Sequence, residues 1–285
     1  MIASSFDYTR AKSVDEAIAK LKDARGNGKL IAGGHSLVPA MKLRLSDPEL
    51  LIDIARIPGL AGIRKAGDAI EIGAASVHHE VATSSVIREA CPMLAECAAS
   101  IGDQQVRNRG TIGGSLAHAD PAADYPAAIL ALEADIHIKG PSGARVAKAK
   151  TFFKGLFTVD LDPAEMITSV QFKPIKSAAY AKLHQHASHF AIVGVAAALE
   201  VSGGTIASAR VAVTGAAGSA SRLAGVEQQL TGKKASAETI AAAAKNAGAE
   251  LKDVNSDLHA SADYRRAMVA VFTKRALAAA LGRAH

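Results

Sequence analysis

Ala32-Gly33-Gly34-His35-Ser36-Leu37 and Thr111-Ile112-Gly113-Gly114-Ser115-Leu116 are the two stretches on which the reading of this chain turns. Each begins where an apolar run ends, and each sets bare peptide N–H groups beside a small hydroxyl side chain. Glycine lets successive amides of a tight turn converge without a Cβ clash, which makes a concave site for an anion. A helix opening after either turn would add the partial positive charge of its N-terminus. One Gly-Gly pair marks an ordinary turn as readily as a site. Two of them, with serine in matching places, point to a long dianionic ligand gripped along a pyrophosphate, hence a nucleotide cofactor. Neither stretch is the G-x-G-x-x-G dinucleotide fingerprint, and no G-K-[ST] follows. Ordinary nucleoside triphosphatases and the usual NAD folds are thereby disfavoured.

The surrounding pattern is α+β. A strand is expected at Ser5–Tyr8, then Ser13 as N-cap with Glu16 three residues on, a capping box. Val14, Ala17, Ile18 and Leu21 share one helical face, and Gly26 and Gly28 end the helix. Lys29–Ala32 reads as a strand running into the first glycine turn, and Leu50–Ile54 as another. Beyond residue 61 come a strand at Ala69–Gly73, helical segments at Val77–Thr83 and Val86–Ala98, and an apolar helix over Ala122–Ala131. Strands follow at Asp135–Gly140 and Met166–Phe172, with a turn near Gly155 between them. The polar stretch Lys173–Ala179, broken by Pro174, marks a domain boundary. Phe190–Val201 and Ile206–Thr214 form a hairpin about Gly203-Gly204. Helices are then expected at Ser221–Gln229, Ala237–Glu250 and Ala260–Leu281, the last started by Ser261 with Asp263.

With 285 residues, 49% hydrophobic and 21% charged, the chain suits a soluble protein of one to three domains. No apolar run reaches the roughly 18–20 residues that cross a bilayer, and the N-terminus has no secretory pattern. The net charge of +6 attracts phosphates and acidic partners. Trp is absent and aromatics are 4%, so a stacking platform for nucleic acid is not expected. Cys91 and Cys97 are read as buried, unreactive thiols, too few for an iron–sulfur cluster on this chain. No Ser-His-Asp set or carboxylate pair calls for catalysis by the chain itself.

Ala32–Leu37, followed by Met41-Lys42-Leu43-Arg44, resembles the first flavin motif of the FAD-binding medium subunit of the molybdenum hydroxylases, the group of carbon monoxide dehydrogenase and xanthine dehydrogenase. Val106-Arg107-Asn108-Arg109-Gly110-Thr111-Ile112-Gly113-Gly114-Ser115 resembles the second, and His118-Ala119-Asp120-Pro121-Ala122-Ala123-Asp124-Tyr125-Pro126 the loop after it. The likeness runs through Lys182 and Phe190–Ala196 to Asp263-Tyr264-Arg265-Arg266, covering essentially the whole chain.

The resemblance implies a two-part FAD-binding domain of the vanillyl-alcohol-oxidase/PCMH type over residues 1–175, with subdomains of about 1–60 and 61–175. A C-terminal domain with a small antiparallel sheet and helices would follow over 176–285. Ala32, Gly33, Gly34, His35, Ser36 and Leu37 would wrap the FAD pyrophosphate, helped by Thr111, Gly114 and Ser115. Ile101 and Leu161 would pack on the flavin or its sugar–adenine part, Asp124 would accept a hydrogen bond from the cofactor, and Lys182 would lie near the flavin ring. On the residues alone, Lys182 also reads as a solvated charge at a domain junction and Asp124 as the N-cap of the helix over Ala127–Ala131, a role that can coexist with cofactor contact.

The chain departs from its relatives where an arginine and an aspartate commonly precede Phe190, for here His186 and His189 stand. With His184 they suggest a metal set, but no Cys or Asp neighbour supplies a further ligand, and polar packing at the junction is the reading preferred. His78 and His79 read as one packed and one exposed histidine opening a helix.

The implied function is electron transfer through FAD within a larger oxidoreductase. A large subunit would carry the molybdenum cofactor and hydroxylate the substrate. A small subunit with two [2Fe–2S] clusters would feed the flavin, which passes electrons to an external acceptor. The expected assembly is a dimer of heterotrimers in the cytoplasm, compatible with peripheral attachment at the inner membrane face and with no nucleic-acid partner. The alternatives are a self-contained flavoprotein oxidase or dehydrogenase, and a non-enzymatic assembly module of the same fold.

Overall fold

Ser13 is the N-cap of the first helix, as its spacing predicts, its hydroxyl accepting from the Glu16 amide at 3.1 Å; the expected capping box is not closed, because the Glu16 carboxylate accepts from the Lys12 amide at 2.8 Å rather than from that of Ser13. The computed structural model describes residues 2–284. Its opening unit runs β1 (Asp7–Arg10), α1 (Val14–Asp23), β2 (Gly28–Ile31), α2 (Leu37–Lys42) and β3 (Leu50–Asp53). β1 lies two residues later than expected, because pairing with Leu50–Asp53 sets its register. β3 sits between β1 and β2, parallel to both, and α1 buries Ala17, Ile18 and Leu21. The parallel arrangement carries the chain from β2 over the first glycine turn into α2, a short helix not expected from the sequence.

The second unit contains β4 (Ile63–Ala66), β5 (Ala69–Gly73), α3 (His78–Thr83), α4 (Ser85–Ala90), α5 (Pro92–Ala99), α6 (Gln104–Arg107), α7 (Ile112–His118) and α8 (Tyr125–Ala131). It continues with β6 (Asp135–Gly140), β7 (Gly143–Lys148), α9 (Ala149–Phe152), β8 (Phe153–Gly155), β9 (Thr158–Val159) and β10 (Met166–Phe172). The larger sheet has the order β4-β5-β10-β6-β7 and is antiparallel throughout. The single helix expected over Val86–Ala98 is two. Pro92 has no N–H and would clash with the preceding turn, so α4 stops and α5 restarts with proline in its first turn. The same rule moves the start of α8 from Ala122 to Tyr125, with Pro126 in its first turn.

β11 (Ala178–His184), β12 (Ala191–Ser202), β13 (Thr205–Thr214) and β14 (Ser221–Arg222) form one antiparallel sheet in sequence order. α10 (Ala224–Leu230), α11 (Ala237–Ala244), a 3₁₀ turn at Ala247–Glu250 and α12 (Ala262–Leu281) follow. Ser221 and Arg222 pair with Val213 and Ala212 rather than begin a helix, and the helix expected over 237–250 divides before the 3₁₀ turn. β12 faces two cores by alternation. Ala196 and Ala198 pack into the core of the first domain, whereas Val193, Val195, Ala197 and Leu199 belong to the core beneath α10–α12. Small residues on the first face let α8 approach β12 and β13 closely, so the two domains share a packed junction. Cys91 and Cys97 are free and buried, and burial pushes both thiols upward, the first to about 12. No helix among the described residues is long and apolar enough to cross a membrane.

Candidate cofactor site

β2 delivers the chain to Ala32, and the Ile54 amide, donating to the Ile31 carbonyl at 3.0 Å, anchors that strand end. The turn then runs over Ala32–Ser36 into α2. Among the described residues, the amides of Gly33, Gly34, His35 and Ser36 have no hydrogen-bond acceptor. The His35 ring folds back, its Nδ1 2.9 Å from the Gly33 carbonyl. Four successive unpartnered amides in a half-exposed to exposed turn are the donor set that a pyrophosphate requires.

The Thr111–Leu116 turn is built differently, and this corrects the sequence reading. Its amides are spent inside the protein: Ile112 donates to the Ser76 carbonyl at 3.1 Å and Gly113 to the Ala74 carbonyl at 2.9 Å. Gly114 donates to the Thr111 hydroxyl at 3.2 Å, which caps α7, and Ser115 donates to the Thr111 carbonyl at 3.0 Å. Gly113 is glycine because a Cβ there would lie 2.5 Å from the Ala74 side chain. What this turn leaves for a ligand is the Ser115 hydroxyl and the bare Cα of exposed Gly114.

The two turns meet. A Cβ on Gly33 would overlap the Arg109 carbonyl and lie 2.8 Å from Gly110 Cα, so the second motif is the wall against which the first is set. His78 supports that wall from below. Its amide donates to the Gly110 carbonyl at 3.0 Å, and its ring fills the space beside Gly110, tilted against Tyr125 at 5.2 Å. Of the two histidines, His78 is the buried one and His79 the exposed one. Burial, then the nearby His35 and Arg107, push the His78 imidazole down to about 4. Sequence reasoning assigns His78 no place at the site, because its contact with Gly110 joins segments that no local pattern relates.

Asp124 and Lys182 are brought together at the domain junction. Lys182 Nζ donates to Asp124 Oδ2 at 2.8 Å, with side chains 5% and 4% exposed. Asp124 Oδ1 accepts from the Tyr180 hydroxyl at 2.5 Å. Asp124 does stand at the N-cap of α8, though its side chain makes no capping bond and is turned to Lys182 and Tyr180 instead; Lys182 is not a solvated charge. Burial pushes the Asp124 carboxyl upward, against the opposing pull of Lys182 and Tyr180.

The loop carrying Ile101 is clamped by three side chains from three segments. Lys182 Nζ donates to the Ser100 carbonyl at 3.0 Å, and Arg107 Nη1 to the carbonyls of Ile101 at 3.0 Å and Gly102 at 2.9 Å. His189 Nδ1 lies 3.1 Å from the Gly102 carbonyl. A cavity of about 620 Å³ opens here, lined by Ser100, Gly102, Arg107, Tyr180, Lys182 and His184 among others. Ile101 and Leu161 are half-buried against the main core. The residues lining this cavity do not include the 32–37 turn.

The three histidines stack rather than converge on an ion. β11 ends at His184, so His186 lies in the turn beyond and not on a shared strand face. The His184 ring is 5.7 Å from His186, edge to face, and 5.2 Å from His189. Among the described residues, no group of three or more His, Cys, Asp or Glu side chains is arranged to hold a metal ion.

Residues 4–174 match the FAD binding domain in molybdopterin dehydrogenase, and residues 178–280 the CO dehydrogenase flavoprotein C-terminal domain. This chain belongs to the FAD-binding medium subunits of the molybdenum hydroxylases. The medium subunit is 41% identical to the carbon monoxide dehydrogenase medium chain of Hydrogenophaga pseudoflava, over 99% of both chains. It is 40% identical to the 6-hydroxypseudooxynicotine dehydrogenase complex subunit alpha of Paenarthrobacter nicotinovorans, over 98% of this chain and 96% of that one. Among solved structures it superposes on the Hydrogenophaga pseudoflava carbon monoxide dehydrogenase with a TM-score of 0.95, at 42% identity over 99% of both chains. Quinoline 2-oxidoreductase from Pseudomonas putida 86 gives 0.93, at 32% identity over the full length of both. The family's FAD fits the medium subunit on an observation of its own: four unpartnered amides stand in one turn, where a pyrophosphate supplies the missing acceptors.

Proposed function

We propose that this medium subunit holds FAD by its pyrophosphate on the amides of Gly33, Gly34, His35 and Ser36, in a molybdenum-containing hydroxylase or dehydrogenase. When bound, FAD supplies the two-electron redox chemistry that links the iron–sulfur subunit to an external acceptor. The carrying observation is the row of amides without protein acceptors, pinned from behind by Arg109 and Gly110.

In this reading Ala32 and Leu37 frame the turn, and Ser115 adds a hydroxyl from the second motif beside Thr111 and Gly114. Ile101 and Leu161 offer apolar surface, and Asp124 with Lys182 fixes charge at the edge of the cavity next to the Ser100–Gly102 loop. The FAD-binding domain extends over residues 1–175, in subdomains of about 1–60 and 61–175, with the C-terminal domain at 176–285. The partners are a large subunit with the molybdenum cofactor and a small subunit with two [2Fe–2S] clusters, as a dimer of heterotrimers in the cytoplasm. Support for such partners comes from relatives that are themselves medium chains or complex subunits.

Purification of the chain from its native source tests this reading. The expected result is a flavin absorption spectrum at one FAD per chain and two co-eluting subunits. A colourless chain that takes up no FAD on reconstitution would overturn it.

A further inference from the structure

We propose that Tyr180 is a positioning residue of the flavin site: its hydroxyl, seated over Gly194, holds the Asp124 carboxylate as the neutralising partner of Lys182. The inference rests on the FAD reading above, but its first readout needs no flavin.

Tyr180 and Lys182 are two apart on β11, so strand alternation puts both on one face. Each takes one oxygen of Asp124, which reaches them from α8 across 56 and 58 residues of chain. Burial of its hydroxyl end, together with the Asp124 charge, pushes the Tyr180 phenol well above its ordinary range, so it stays a donor at every working pH. The neighbouring strand makes room for it. Gly194 pairs with Lys182 in the β11–β12 register, and a Cβ there would overlap the Tyr180 hydroxyl and lie 2.9 Å from Thr214 Cγ2. Any side chain at position 194 would lift the phenol from the carboxylate.

Around the pair, Cys97 on α5 and Tyr125 next to Asp124 are kept neutral by burial, Glu96 on α5 accepts from the Tyr180 amide at 3.1 Å and is paired with Arg283, and His184 follows Lys182 on β11. Lys182 therefore balances Asp124 alone, with the Tyr180 hydroxyl stabilising the anion. Without that hydroxyl the carboxylate takes up a proton at higher pH, and the Lys182 ammonium faces the cavity unbalanced. An unbalanced cation beside a flavin favours the more negative, reduced form.

The test is an infrared pH titration of the carboxyl band in the full chain without flavin, with Asp124→Asn assigning the band. A hydrogen bond to a charged group has an effect of about ten- to a hundredfold in an equilibrium constant, so Tyr180→Phe should raise the proton affinity of Asp124 by that factor. Gly194→Ala should do the same with the tyrosine in place, and the double variant should add little to either. Reconstituted with FAD, Tyr180→Phe should show a more positive flavin midpoint potential at a pH where Asp124 has become protonated. An Asp124 titration unchanged in both single variants, or a potential unchanged at that pH, would overturn the inference. Should wild-type chain take up no FAD, the function reading falls while the titration still decides the role of Tyr180.

Discussion

Gly33 lies so close to the Arg109 carbonyl that no β-carbon fits between them. The contact joins two motifs 76 positions apart in the chain and fixes the amides of the first turn against the backbone of the second (109 − 33 = 76). Gly33→Ala should therefore separate the turns. Overpacking against backbone costs about 1–3 kcal/mol, and FAD affinity should fall at least about tenfold as the amides lose convergence. Denaturant unfolding and flavin titration read the two effects. Gly218→Ala is the control, since nothing lies within 4 Å of a Cβ there and its backbone is outside the left-handed region, and FAD affinity should be kept. Normal FAD affinity in Gly33→Ala would refute the role assigned to the turn.

The second motif separates support from ligand contact. Thr111→Val removes the cap of α7 by deleting the acceptor of the Gly114 amide and should cost about 1 kcal/mol of stability, restored by Thr111→Ser. Ser115→Ala deletes a hydroxyl with no protein partner among the described residues, and should leave stability within about 0.5 kcal/mol while weakening FAD. Equal effects of the two on FAD affinity would contradict this division.

How far the site is legible in the sequence depends on where each residue's partners lie. The first turn is legible because its donors need nothing from elsewhere: an apolar strand, two glycines and a serine are local. The Thr111–Leu116 turn matches it in composition, yet its amides bond to Ala74 and Ser76, which sequence spacing cannot bring there. Asp124 stands out in the chain, but its orientation does not, because Tyr180 and Lys182 arrive from the other domain. The misplaced helix boundaries are of another kind. Pro92 and Pro126 announce them locally, and the apolar periodicity running across each proline conceals the signal.

The burial of Asp124 with Lys182 changes what its removal should do. As a mere cofactor contact, Asp124→Ala would spare the fold. In this junction it takes away the acceptor of the Tyr180 phenol and leaves the buried Lys182 ammonium with the Ser100 carbonyl but no counter-charge. Breaking a buried pair costs about 3–5 kcal/mol, so the variant should unfold at clearly lower denaturant concentration even without flavin. Removing the second charge as well, in Asp124→Ala/Lys182→Met, should recover part of that loss. A single variant as stable as wild type would show that water reaches and solvates the pair.

His78 should make the protein acid-sensitive before its carboxylates do. Its imidazole is held near 4 in the folded chain against 6.5 when unfolded, because burial penalises the charged ring. Between those values the unfolded chain binds the extra proton, so stability is complete above pH 6.5 and is lost as the pH falls toward 4. A difference of about 2.5 pH units corresponds to roughly 3 kcal/mol. His78→Gln carries no titrating group and should flatten unfolding free energy over that window. Because the ring sits beneath Gly110, the acid loss in wild type should coincide with loss of FAD affinity as the wall behind Gly33 loosens. Parallel stability profiles for wild type and His78→Gln from pH 6.5 to about 4 would remove His78 from this role.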